Sequence, residues 1–186
     1  MTQTLTIADL GWSAFYNSQL EIDEIGTVTP ARVSSVHRTR IATFTENGPV
    51  DLALEAGLST GEIAVGDWVL CDPDAARMIR RLDRQSTLQR GSDYVHGDRQ
   101  LIASNVDTLF ITTSCNADFN VARLERYLAL AHDAEVTPVI LLTKADHTDD
   151  PDSYITQARA LGRNLEVIAL DALHGDVSEA LGPWIG

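Results

Sequence analysis

The chain has 186 residues, 44% hydrophobic and 22% charged, proportions that provide for one large domain or two small ones and exclude a disordered chain. No apolar run nears the roughly 20 residues that cross a bilayer, residues 1–10 hold neither Lys nor Arg, and Cys71 and Cys115 stand outside any Cys-x-x-Cys pair, so a cytoplasmic protein with reduced thiols, no signal peptide and no membrane contact is expected. The net charge of -13 weighs against nucleic acid but is uneven: residues 1–27 hold four acids and no Lys or Arg, residues 28–100 nine arginines against ten acids, and residues 101–186 thirteen acids against five bases, so a phosphate backbone would meet the middle section.

Residues 1–27 read as an N-terminal arm docked by its aromatics, with Trp12 and Phe15 on one helical face. Short strands follow at 32–36, 40–45, 50–54, 68–71 and 77–82, separated by Asn47-Gly48, by a loop with Gly57 and Gly61, and by Asp72-Pro73-Asp74. Five strands within 28–83 predict an all-β, five-stranded barrel of the OB-fold type. Only Phe44 and Trp68 could stack on bases there, and both are expected in the core. That leaves Arg38, Arg40, Arg80, Arg81, Arg84 and Arg90 as weak RNA contacts. Residues 84–100 are polar, carry Gly91, Ser92 and Gly97, and read as a linker.

Residues 101–186 alternate strand and helix. A β-branched run at 105–113 reads as a buried strand. Asp118 is expected to cap a helix carrying Val121, Leu124, Leu128 and Ala131, which ends before Pro138. A strand at 139–142 follows. Asp152 or Ser153 then caps a helix closed near Gly162, and the third strand is 165–170. This order predicts an α/β domain with a three-stranded parallel sheet.

The second of these strands runs into Lys144, the only lysine in the chain, with Asp146 two residues on. Ligands of open α/β sheets sit beyond the carboxyl ends of strands. The pattern Asn/Thr-Lys-x-Asp at such an end is how G-domain GTPases read guanine: the carboxylate accepts from N1 and N2 of the base, and the lysine stem covers the purine face. After the next strand, Asp171-Ala172 stands where such domains present an alanine N–H to the guanine O6. Thr143, Lys144, Asp146, Asp171 and Ala172 are therefore the candidate guanine-nucleotide residues.

The chain as a whole resembles the circularly permuted GTPases that act on the small ribosomal subunit, called RsgA or YjeQ. The resemblance is carried by Leu10-Gly11-Trp12, Pro30-Ala31-Arg32-Val33, Val65-Gly66-Asp67-Trp68-Val69 and Arg84-Gln85-Ser86-Thr87-Leu88-Gln89-Arg90. It continues in Ile102-Ala103-Ser104-Asn105-Val106-Asp107, Phe119-Asn120, Arg123-Leu124-Glu125-Arg126-Tyr127-Leu128 and Thr143-Lys144-Ala145-Asp146. It implies an OB-fold followed, at 101–186, by the guanine-specificity half of a truncated, circularly permuted P-loop GTPase domain. It also implies GTP or GDP as ligand, the small (30S) ribosomal subunit and its rRNA as partners, and GTP hydrolysis in late maturation of that subunit by the complete protein.

A phosphate loop of the form Gly-x-x-x-x-Gly-Lys-Ser/Thr needs a lysine besides Lys144, and this chain has none. The switch segments that hold magnesium and the family's cysteine-rich zinc segment are missing too. A fragment or natural truncation is therefore expected, with weak or no binding of GTP or GDP, no hydrolysis and no catalytic residue; magnesium and zinc belong to the complete family protein. Asp171 replaces the usual Ser beside Asp146, and two carboxylates in one pocket disfavour each other's ionised forms. Asp171 is expected to point away, find a cation or take a proton. His37, His96, His132, His147 and His174 show no metal-ligand spacing, and no metal site is expected. The first α/β strand is expected to leave an open edge that favours self-association. The alternative is a non-enzymatic RNA- or ribosome-binding adaptor with a remnant G domain.

Overall fold

A computed structural model describes residues 6–54, 60–72, 74–90 and 100–185; Gly57, Pro73, Gly91, Ser92, His96 and Gly97 lie outside them. The chain divides into two compact units, Met1–Val106 and Asp107–Gly186.

In the first unit β1 (Thr29–Val36), β2 (Arg40–Thr45), β3 (Gly48–Ala53), β4 (Trp68–Asp72) and β5 (Arg77–Arg81) close into a barrel in the order β1-β2-β3-β5-β4. All neighbours pair antiparallel except β3 and β5, which close it in parallel at Ala53 and Arg77. The strand period of two decides which side chains fill it. Ile41, Thr43 and Thr45 are buried, and the two threonine hydroxyls donate to the carbonyls of Val50 (2.8 Å) and Gly48 (3.0 Å). Ala31, Val33, Leu52, Val69, Cys71 and Met78 complete the apolar interior. Phe44 lies in the same register as Arg40 and is 41% exposed. The expectation that it is core fails because strand alternation outweighs its hydrophobicity.

A second core joins the arm to the barrel wall, with Tyr16, Trp68, Leu70 and Leu82 fully buried and Trp12 packed against them. The Trp12 ring meets Trp68 edge-on at 4.9 Å, a favourable aromatic geometry. The docking residue of α1 (Ala14–Asn17) is Tyr16, whereas Phe15 is 38% exposed. Trp12 precedes the helix, so the helical pairing of Trp12 with Phe15 does not apply.

Residues 84–100 are not wholly linker. They include β6 (Thr87–Arg90), which pairs antiparallel with β7 (Gln100–Ser104). Leu88 alone is buried on β6, so the strand carries too little apolar period to be legible. The junction is held by Asp67, whose buried carboxylate accepts from Arg84 Nε (2.6 Å) and Nη2 (2.7 Å), Ser104 Oγ (2.6 Å) and the Ala64 N–H (2.8 Å). Asn105 donates to the Gly66 carbonyl (2.9 Å) and accepts from the Gln85 N–H (2.8 Å).

The second unit holds β8 (Thr108–Ser114), α2 (Val121–Asp133), β9 (Thr137–Thr143), α3 (Pro151–Arg159), β10 (Glu166–Ala169) and α4 (Val177–Ile185). Its parallel sheet has the order β10-β9-β8. Ile111, Ile140, Leu142 and Val167 of the sheet pack with Leu124 of α2 and Ala158 of α3. The caps differ from expectation: Asn120 accepts from the Arg123 N–H (2.9 Å), and Asp150 accepts from the Ser153 N–H (3.1 Å) with Pro151 next to it. In both, the capping oxygen sits three residues before the donor, the spacing an N-cap needs. Helix α4 includes Gly182 and, in its last turn, Pro183. No helix is long and apolar enough to cross a membrane among the described residues.

Candidate functional site

The register Leu141 to Ile168 and Leu142 to Ala169 brings β9 and β10 out of the sheet at the same depth. The loops after them stay joined: the Leu170 N–H donates to the Leu142 carbonyl (2.9 Å) and the Ala145 N–H to the Leu170 carbonyl (3.4 Å). Thr143 faces the other neighbour, its hydroxyl donating to the Thr113 carbonyl (3.0 Å), while the Cys115 N–H donates to the Thr143 carbonyl (2.9 Å). These two bonds tie the ends of β8 and β9 together.

Lys144 then takes a left-handed conformation, φ 57° and ψ 36°, and Ala145–His147 form a single 3-10 turn. This reversal presents Lys144 and Asp146 to solvent on a short loop. A lysine in that region is uncommon and costs energy, so the backbone here is set by the loop and not by local preference. Asp146 Oδ2 lies 3.3 Å from His147 Nε2.

The loop after β10 is built by Asp171. Its Oδ1 accepts from the N–H groups of Leu173 (2.9 Å) and His174 (3.1 Å), and its Oδ2 lies 2.9 Å from His174 Nδ1. The Gly175 N–H donates to the Asp171 carbonyl (2.9 Å), and a Cβ on Gly175 would stand 2.7 Å from that oxygen. The Leu173 N–H, and after it the His174 N–H and imidazole, hold the Asp171 carboxyl below the usual 3.8. Asp171 therefore takes no proton at neutral pH; its charge is met by its own loop. Ala172 is exposed, and its N–H has no acceptor among the described residues.

Potential ligand atoms of Asp146, Asp171 and His174 lie within 4.8 Å of one another. Sequence spacing could not show this, because two residues come from one loop and one from another, about 25 positions away. Two carboxylates and an imidazole can accept N–H donors of a base or face a cation; the group is exposed.

The six arginines do not act alike. Arg84 is committed to Asp67, and Arg80 to Glu24 through Nε (2.7 Å) and Nη2 (2.6 Å). Arg40 makes an exposed pair with Asp51 at 3.4 Å, and Arg81 donates to the Leu82 carbonyl (2.9 Å). Arg38 and Arg90 are exposed. Both cysteines are free and buried, and burial pushes their thiols up.

Residues 81–186 match the RsgA GTPase family. A small ribosomal subunit biogenesis GTPase RsgA from Mesorhizobium japonicum is 50% identical over 183 residues, covering 97% of this chain and 52% of its own length. A second protein of that name, RsgA 2 from Vibrio vulnificus, is 39% identical over 98% of this chain and 52% of its own. The chain thus spans about half the length of the curated relatives it matches. The crystal structure of YjeQ from Thermotoga maritima aligns with a TM-score of 0.62 at 20% identity, over 84% of this chain and 56% of that one, which speaks to the fold alone. The family match over residues 81–186 and the 50% identity over nearly the whole chain show that this chain belongs to the RsgA GTPase family.

Proposed function

We propose that this chain is the RNA-binding and guanine-recognising part of a cytoplasmic GTPase that assists late maturation of the small (30S) ribosomal subunit. The observation that carries the reading is the meeting of Asp146 with Asp171-Ala172 beyond the carboxyl ends of two adjacent parallel strands, where such sheets bind ligands. Asp146 accepts from the N1 and N2 donors of guanine, the Lys144 stem covers the purine, and the free Ala172 N–H donates to O6. Asp171 is turned into its own loop by two N–H groups and His174, which limits its repulsion of Asp146.

Base contacts alone bind weakly, because the strong, charge-assisted contacts to a nucleotide are those to its phosphates. No Gly-x-x-x-x-Gly-Lys segment is present among these residues. This chain by itself is expected to bind GDP at about millimolar strength or not at all and to hydrolyse no GTP. Magnesium and zinc are assigned to the complete family protein.

In the full-length protein, Asp146→Asn is expected to move preference from guanine to xanthine nucleotides by on the order of a hundredfold, because an amide can donate to the 2-oxo group while guanine's own donors lose their acceptor. Dissociation constants for GDP and xanthosine diphosphate measure this; an unchanged guanine preference removes Asp146 from the pocket. The adaptor reading is favoured by the exposure of Arg38 and Arg90, which face no carboxylate among the described residues. RNA binding indifferent to nucleotide in the full-length protein would select it.

A partner is also proposed at β8. Its only strand neighbour among the described residues is β9, and open strand edges recruit chains. Sedimentation of this chain over a wide concentration range should show self-association; a monomer throughout would end that proposal.

A further inference from the structure

We infer that the amino-terminal end of the parallel sheet is a docking site for a basic peptide segment of a partner protein, which inserts an apolar side chain and lays an arginine or lysine against an acidic rim. This goes beyond the guanine reading and is independent of it, since the site lies at the opposite ends of β9 and β10.

A cavity of about 560 Å³ opens there, where the turns leading from α2 into β9 and from α3 into β10 meet. Leu128, Val136, Pro138, Leu161 and Leu165 give it an apolar lining, and Glu135 and Glu166 stand on its edge against one fixed cation, Arg163. Both helices finish here, with C-caps at Ala134 and Ala160. Their last carbonyls add partial negative charge at the same place.

The volume suits one or two side chains, being within the range of small-ligand sites and too small for a whole helix. The charge selects their kind. Residues 107–186 hold five bases against thirteen acids, a net of -8, so the unit repels RNA phosphate and anionic lipid and attracts a basic chain. A purely apolar occupant would use the lining and leave the acidic rim without a partner. An apolar residue flanked by cations uses both.

The probe is a capped pentapeptide of alternating leucine and arginine, compared with its counterpart bearing glutamate for arginine. The readout is amide chemical shifts of the labelled chain. The arginine peptide should perturb Val136, Leu161, Leu165 and Glu166 saturably and bind roughly tenfold or more tightly than the glutamate peptide. Replacing its leucines with serine should weaken it to a similar degree. The exposed pair Glu135→Gln and Glu166→Gln should together remove most of the charge preference while leaving the rest of the spectrum in place. The proposal is overturned by any of four results: no shifts at the lining, equal binding of the two peptides, a preference that survives the double variant, or shifts spread equally over Asp118, Asp146 and the other acids. A single-stranded oligonucleotide that perturbs the same lining residues would overturn it as well.

Discussion

Two residue pairs in this chain show how differently the same charges are used. Arg80 and Glu24 join strand β5 to the arm by a two-pronged contact, and the Arg80 hydrogen bond, ahead of the Glu21 N–H, holds the Glu24 carboxyl at about 2 in place of 4.5. A carboxyl depressed by folding stabilises the protein fully above its unfolded value and loses that contribution as pH falls through the folded one. Glu24→Gln should therefore lower stability by about 1 kcal/mol at neutral pH. The gap in Tm between the two proteins should narrow from pH 4.5 downward and close near pH 2, by calorimetry across that range. A gap independent of pH would show that the carboxylate itself does not hold the arm. Lys144 and Asp146, by contrast, carry no role in the fold that the structure reveals beyond their turn, and both face solvent. Residues free of structural duty at the end of a buried strand are those open to a ligand.

At the scale of elements, the sequence blocks 65–69, 84–90 and 102–107 converge on one junction. Asp67 binds Arg84 and Ser104, and Asn105 binds Gly66. Gly66 has φ +93°, and a Cβ there would stand 2.0 Å from the Ser104 carbonyl oxygen. No flexible side chain can yield at that contact, because the obstacle is backbone. Gly66→Ala is accordingly expected to cost about 2–4 kcal/mol through steric conflict and a left-handed backbone together. Urea unfolding followed by the fluorescence of Trp12 and Trp68 measures it, and a loss below about half a kcal/mol would mean that β7 moves away freely. Strand β6 belongs to the same scale: its polar composition reads as linker, and pairing with β7 makes it a strand.

For the whole molecule, charge is divided between the units. Residues 1–106 hold nine arginines against fourteen acids, and residues 107–186 five bases against thirteen acids. Two of the nine arginines, Arg80 and Arg84, are taken up by Glu24 and Asp67. The RNA contacts proposed for the barrel therefore fall to Arg38, Arg40, Arg81 and Arg90. Alanine at each should reduce the slope of log affinity against log salt by roughly 0.7–0.9, nearly uniformly across RNA sequences. Arg84→Ala should instead unfold the junction, since it strands a buried carboxylate at a cost of about 3–5 kcal/mol. Salt titrations that leave the slope untouched in all four variants would place RNA elsewhere.

The two-part architecture, the five strands of the barrel and the three of the parallel sheet were determined by the sequence alone, because each rests on local spacing: period two in the barrel and buried runs in the sheet; Thr143, Lys144, Asp146 and Ala172 are proposed as guanine residues on the same footing. Only the tertiary structure decided that Phe44 faces outward, that Tyr16 and not Phe15 docks the arm, that Arg80 and Arg84 are engaged, and that Asp171 is satisfied by its own loop beside Asp146. These depend on which residues distant in the chain become neighbours. Register and long-range pairing set that, and no window of sequence contains them.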